Sequence, residues 1–182
     1  IIDDYAFHLP SLRNISIPAS VWLIGIDAFN SFKLENLVIA KDSKLQKIDE
    51  GVFSETKIKS FHIPRYLKKI SNSCFAHSLL NKIEIPNNSE LEIIGESAFY
   101  STKIESIFIP ENVKDIKEGW CSSTLYLKEI IISPNNKNYI YYNNEMLIGK
   151  SKSNDFKSES EYEYDTILFC RRDIKEINIP SS

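Results

Sequence analysis

The sequence predicts a solenoid of stacked β coils, because apolar residues recur at a nearly constant interval. Five phenylalanines follow one another at intervals of 22, 24, 22 and 24 along the chain, namely Phe7, Phe29, Phe53, Phe75 and Phe99. Ten positions after each phenylalanine comes an isoleucine, at Ile17, Ile39, Ile63, Ile85 and Ile109. A unit of this length cannot bury its apolar residues alone, so neighbouring units must stack to complete a core.

The second half of each unit predicts a short strand. In Ile15-Ser16-Ile17 the two isoleucines point inward and the serine points outward, because strand side chains alternate between the two faces. A proline that follows, such as Pro64, ends the strand because it has no N–H to donate. Together with Leu12, this spacing is the Leu-x-x-Leu-x-Leu signature of a leucine-rich repeat. We therefore expect a mainly β solenoid with little helix, with parallel strands on its concave side.

The residues that follow each of these strands predict a second, convex wall on the opposite side. We expect this wall to consist of short strands, turns or 3-10 segments. A second apolar pair, such as Leu67 and Ile70, turns inward there before the next phenylalanine. The alternation between shorter and longer units arises at one place, because Ile63 and Leu67 are four positions apart whereas Ile39 and Leu45 are six apart. The two extra residues are predicted to form a loop.

The pattern predicts three regions, with repeats over 1–132, an irregular insertion over 133–164 and a resumed, truncated repeat over 165–182. Within the insertion, residues 138–149 predict two short strands joined at Asn143-Asn144, because asparagine tolerates the positive φ of a tight hairpin. This hairpin suggests a cap or a bridge. Residues 150–165 are rich in Ser, Lys and Glu, which indicates an exposed polar loop, with a recognition loop as the alternative.

The repeated pattern Ile-x-Ile-Pro-x-x-(Val/Leu)-x-x-Ile-x-x-x-Ala-Phe, over about residues 2–132, resembles the BspA-like leucine-rich-repeat surface proteins of mucosal bacteria and trichomonad-type protist parasites. The segments 146–150 and 165–180 resemble the protist members especially. Trp120-Cys121 departs from the pattern, since it replaces Ala-Phe. The resemblance implies a cell-surface or secreted, non-enzymatic module that attaches to host-cell or matrix proteins. The alternative is a structural or intracellular partner-binding scaffold without a host ligand.

The outward residues at the strand centres predict one ladder along the concave sheet. Three of these residues are apolar without an evident structural reason, which is typical of a protein-binding surface. The alternative is that they pack on one another as a cross-strand column or lie under a neighbouring loop. The candidate binding face consists of Ser16, Val38, His62, Glu84, Phe108 and Ile131.

Composition argues against several other classes of function. The formal net charge is −3 and no basic block is present, so we expect no nucleic acid partner. No apolar run approaches the roughly 18 residues of a membrane span, so we expect no membrane insertion within this chain. The chain begins and ends inside a repeat, which indicates a fragment of a longer solenoid with its signal or anchor elsewhere.

No residues predict a catalytic, cofactor or metal site. The three histidines, His8, His62 and His77, are far apart and at different phases of the repeat. Three cysteines are too few for a disulfide framework or zinc site, and Cys74 and Cys121 take packing positions that predict free, buried thiols. Two sequons mark possible N-glycosylation, at Asn14 and Asn87. The sequence leaves the oligomeric state open.

Overall fold

Over the residues that the computed structural model describes, namely 1–9, 11–31, 33–150 and 164–179, the chain forms a β-solenoid without helix. Within these ranges the strands are β1 (Asn14–Ile17), β2 (Leu23–Ile24), β3 (Asn36–Ile39), β4 (Lys47–Ile48), β5 (Ser60–His62), β6 (Lys69–Ile70), β7 (Lys82–Glu84), β8 (Ile93–Ile94), β9 (Ser106–Ile109), β10 (Asp115–Ile116), β11 (Glu129–Ile132), β12 (Tyr139–Tyr142), β13 (Met146–Lys150) and β14 (Tyr164–Cys170). The predicted leucine-rich-repeat solenoid is confirmed.

Each coil contributes one strand to each of two walls. The short even-numbered strands form a continuous parallel back sheet in the order β10-β8-β6-β4-β2. The longer odd-numbered strands up to β11 form the front wall, and they pair in parallel as β1 with β3, β5 with β7 and β9 with β11. One residue of each back strand, such as Ile48 or Ile70, is buried between the walls.

The core between the walls is organised around the repeated phenylalanines. Phe29, Phe53, Phe75 and Phe99 have no exposed surface. Their rings stack along the solenoid axis, with successive centroids 5.9, 5.5 and 5.6 Å apart. The backbone follows the same repeat, since the amide of Phe53 donates to the carbonyl of Cys74 at 2.9 Å. Stacked aromatic pairs contribute about 0.5–1.5 kcal/mol each beyond burial, so the column stabilises every junction between coils.

The turn before each phenylalanine position has a recurring backbone conformation. The residue two positions earlier has φ between 50° and 66° in six successive coils, at Tyr5, Asp27, Gly51, Ser73, Ser97 and Gly119. Left-handed backbone is strained for residues with a Cβ, so glycine is the most favourable residue here. At Gly51 a Cβ would also meet the Asp27 Oδ1 of the preceding coil, so the Asp27 side chain would have to move.

The aromatic column continues through Trp120 where the repeat pattern departs from Ala-Phe. Cys121 occupies the phenylalanine position and is buried, as expected, but it has no ring. The Trp120 ring, from the preceding alanine position, lies edge-on to Phe99 with centroids 6.2 Å apart. Phe169 then lies 6.4 Å beyond Trp120. The Trp120 side chain therefore continues the aromatic column where the pattern has alanine followed by phenylalanine.

The hairpin predicted over 138–149 is present and forms part of a three-stranded antiparallel sheet. Strand β12 pairs with β13, and β13 pairs with β14. Asn143 and Asn144 both have positive φ, at 50° and 57°, as the turn requires. Strand β14 begins one residue before the region 165–182, for which the sequence predicts a resumed repeat. It buries Phe169 but pairs antiparallel, and residues 171–179 form no strand, so the resumed repeat stays a prediction.

Candidate functional site

The front face, meaning the outward surface of β1, β3, β5, β7, β9 and β11, carries all six predicted binding residues. The structure brings them together as cross-strand neighbours in three pairs: Ser16 with Val38, His62 with Glu84, and Phe108 with Ile131. The predicted single ladder is wrong in one respect, because the front wall consists of three separate two-stranded sheets. β3 does not pair with β5, and β7 does not pair with β9.

The two breaks in the front wall follow the length of the coils. Paired front strands are separated by the shorter step, from Asn14 to Asn36 and from Ser60 to Lys82, or by one position more, from Ser106 to Glu129. Both unpaired neighbours are separated by the longer step, from Asn36 to Ser60 and from Lys82 to Ser106. The longer coil, with its two extra loop residues, therefore coincides with each break.

The residue that follows the last isoleucine of each front-strand segment differs in its capacity to donate a hydrogen bond. Ala40 follows β3 and donates its amide to the Ile17 carbonyl at 3.1 Å, which closes the β1–β3 junction. Ser133 closes the β9–β11 junction in the same way, through the Ile109 carbonyl at 2.9 Å. Pro64, Pro86 and Pro110 stand at the corresponding place in other coils and have no N–H for this bond. Because β5 and β7 pair although Pro86 follows β7, proline alone does not explain the breaks.

The apolar side chains of the front face differ in exposure. Val38 is 59% exposed and Ile131 is 49% exposed, whereas Phe108 is half-buried and packs against the core. The cross-strand column considered as the alternative is therefore limited to the adjacent pair Phe108 and Ile131. Val38 faces Ser16 and has no apolar partner in its own pair. Val38 and Ile131 are therefore the most exposed apolar residues among the six.

A small charge network occupies the middle of the front face. Lys82 Nζ lies 2.5 Å from Glu84 Oε1, and His62 Nδ1 lies 3.5 Å from Glu84 Oε2. The hydrogen bond from Lys82 lowers the pKa of the Glu84 carboxyl, and His62 lowers it further. Glu84 therefore stays ionised at neutral pH. All three side chains are exposed, so these pairs contribute little to stability.

A cavity of about 890 Å³ opens on the front wall where β3 and β5 fail to pair. We call it the β3–β5 cleft. Leu37, Ile39 and Phe61 are among its apolar lining residues. The turns that follow the two strands supply Lys41, Asp42, Lys44, Arg65 and Tyr66. The Arg65 guanidinium carbon lies 5.4 Å from the centre of the Tyr66 ring.

The other sequence-predicted sites are placed as follows. Asn14 is exposed on β1, and its Oδ1 accepts a hydrogen bond from Asn36 Nδ2 at 2.7 Å, while Asn87 is exposed in the turn after β7. Cys74 and Cys121 are free and buried, and burial raises the pKa of the Cys121 thiol to about 12 and that of Cys74 still further. The described ranges contain no group of three or more His, Cys, Asp or Glu suited to a metal ion.

The family follows from a comparison with known repeat families. The model of the BspA type leucine rich repeat region matches residues 1–128 and 90–182, with six copies. The chain belongs to this family. Its BspA-type repeats agree with the resemblance seen in the sequence, while an origin in a protist stays a prediction. No curated protein sequence matches the chain.

Two solved structures have a fold similar to that of this chain. The pneumococcal vaccine antigen PcpA is 27% identical with a TM-score of 0.71, and the match covers 76% of this chain and 34% of that one. A leucine rich cell surface protein from Faecalibacterium prausnitzii is 22% identical with a TM-score of 0.65, covering 83% and 46%, and this likeness shows the fold alone. The chain thus spans less than half the length of either protein.

None of its described segments is a helix able to cross a membrane.

Proposed function

We propose that this chain is a non-enzymatic, protein-binding part of a cell-surface protein, and that its front face attaches to a host-cell or extracellular-matrix protein. The observation that carries the proposal is the exposure of Val38 and Ile131 on the outward face of a rigid stack of coils. Apolar side chains exposed on an ordered surface lose unfavourable hydration when a partner covers them. The adjacent polar and charged groups of the front face would form the rim of such an interface.

The family and the fold support the same proposal. Solenoids of stacked repeats present extended surfaces to macromolecular partners, and the leucine-rich-repeat solenoid is typically a binding fold. One structural neighbour is described as a cell surface protein and the other as a vaccine antigen. We extend a surface location to this chain on that basis.

Saturation binding tests the proposal. The purified chain, labelled at its N-terminus, would be titrated onto cultured epithelial cells and onto immobilised fibronectin, laminin and collagen, with heat-unfolded chain as the control. Saturable binding of the folded chain to a cell-surface or matrix protein is the expected result. Absence of saturable binding to every one of these surfaces, by a chain with native circular dichroism, would contradict it and favour a structural or intracellular scaffold.

A further inference from the structure

We infer that the β3–β5 cleft takes an extended, acidic segment of a partner protein, which adds as a strand between β3 and β5. This inference rests on the proposed function, since it names the kind of protein segment that the front face receives. Val38 is among the residues that line the cleft, whereas Ile131 lies outside it. The strand edges, the lining and the charge of the cleft each support it.

Two strand edges face each other across the cleft without a ladder between them. In a parallel pair, alternate residues direct both backbone groups toward the same neighbour. Ala40 and Asn36 donate to the β1 side, at 3.1 and 3.0 Å, so the intervening Leu37 and Ile39 direct their N–H and C=O groups toward β5. Ile63 donates to Glu84 on β7 at 2.8 Å, so the backbone groups of Ser60 and His62 are directed toward β3.

Such edges are suited to backbone recognition. A strand edge offers donors and acceptors at regular intervals, and an extended peptide satisfies them by continuing the sheet. Here an inserted segment would meet one edge on each side, so it would gain hydrogen bonds from both of its own edges. β3 spans four residues, and a segment of similar length would complete both ladders.

The lining of the cleft favours a chain with alternating side chains. Leu37, Ile39 and Phe61 provide an apolar floor, and Leu37 and Ile39 are only partly buried because no strand covers them. Side chains of an inserted strand alternate between the floor and solvent. Apolar residues at alternate positions of the partner segment would therefore cover this floor.

The charge of the cleft indicates which side chains the partner segment carries at its other, outward positions. Its lining carries four cations, Lys41, Lys44, Arg65 and Lys82, and two anions, Asp42 and Glu84, so cations outnumber anions two to one. Lys82 is already paired with Glu84, so the excess lies at the carboxyl end of the strands, around Arg65. The whole chain carries −3. This local reversal of sign favours an acidic segment.

The decisive test removes the cleft without touching its floor. Deleting Lys41 and Asp42 shortens the step from Ile39 to Leu45 from six positions to four, the length found from Ile63 to Leu67. A displayed library of random twelve-residue peptides would be selected on the wild-type chain, and selected peptides would be titrated against both proteins by fluorescence anisotropy. We expect peptides rich in Asp and Glu that bind the wild type at least ten-fold more tightly than the deletion variant.

Two further measurements keep the test decisive if the deletion variant folds poorly. Lys44→Glu with Arg65→Glu reverses exposed charges only, and it should weaken the selected peptides at least ten-fold. Methylation of alternate backbone nitrogens of a selected peptide should abolish binding, because it removes the donors of one edge. Equal binding by wild type and variants, full binding by the methylated peptide, or a heparin oligosaccharide that binds in place of any peptide would each overturn the inference.

The matrix-binding assay separates failure of this inference from failure of the proposed function. If the deletion variant binds cells and matrix proteins as well as the wild type does, the inference is wrong and the proposed function stands. If the wild type binds neither peptides nor any cell or matrix protein, both are wrong.

Discussion

The hydroxyl of Tyr139 accepts a hydrogen bond from the backbone amide of Ile116, at 2.9 Å. Ile116 lies in β10, the last strand of the back sheet, so its amide faces the position that a further coil would occupy. Tyr139 is buried, which raises the pKa of its hydroxyl to about 12 and keeps it protonated at neutral pH. A side chain of the inserted hairpin thereby satisfies a backbone donor at the end of the back sheet.

Tyr139→Phe should therefore destabilise the chain by about 1–3 kcal/mol, the cost of leaving a buried amide without a partner. The free energy of unfolding from urea denaturation checks this value. Tyr5→Phe is the control, because Tyr5 is exposed and its change should cost less than about 0.5 kcal/mol. Equal stability of the two variants would contradict a capping role for Tyr139.

Phe75→Ala should cost about 3–5 kcal/mol, because it opens a cavity in the aromatic column. The Phe75 ring has Phe53, Phe61 and Phe99 within 5.6 Å of its centroid. His62→Ala, on the exposed front face, should change the free energy of unfolding by less than about 0.5 kcal/mol. A similar loss in both variants would mean that the inward and outward assignments are wrong.

Thiol labelling should distinguish the three cysteines. Cys74 and Cys121 are buried with raised pKa values, so at pH 8 each is a protonated thiol shielded from reagent, whereas Cys170 is partly exposed. Ellman's reagent should react rapidly with one thiol per native chain and with three in guanidinium chloride. Rapid reaction of two or more thiols in the native chain would contradict the burial of the repeat cysteines.

Amide hydrogen exchange should reveal the break in the front wall. The amides of Ala40 and Ile63 are hydrogen-bonded to neighbouring strands and should exchange slowly. Those of Ile39 and His62, which are directed into the β3–β5 cleft, should exchange at least ten-fold faster. In the variant that lacks Lys41 and Asp42, both should become protected if the longer coil holds the strands apart. Protection of Ile39 and His62 already in the wild type would contradict an open cleft.

The sequence predicts the core of the repeats more completely than it predicts the surface that the repeats form. The phenylalanine period identifies the aromatic column, and Asn143-Asn144 identifies the hairpin turn, because both depend on local spacing and backbone preference. The role of Trp120 was not predicted, since its ring reaches Phe99 from the alanine position. A side chain's direction across two coils is not encoded in a linear pattern.

The β3–β5 cleft shows the same limit. The sequence locates the two extra residues between Ile39 and Leu45, but the lining residues Lys41, Lys44, Arg65 and Tyr66 were not predicted as part of a site. Their common position becomes evident only when two strands separated by a longer coil fail to pair. The alternation of coil length was the available signal. The predicted polar loop over 150–165 falls largely on residues 151–163, which lie outside the described ranges.

The proposed attachment through the front face is tested most directly by removing its exposed apolar side chains. The front variant, Val38→Ser with Ile131→Ser, leaves the half-buried Phe108 and the core intact. The control variant is Trp22→Ser with Ile26→Ser. It removes two apolar side chains that are 45% and 38% exposed beside the back sheet. We predict that the front variant loses at least ten-fold in affinity for the cell-surface or matrix protein that the wild type binds, while the control variant binds as the wild type does. Unchanged affinity in the front variant would contradict the account.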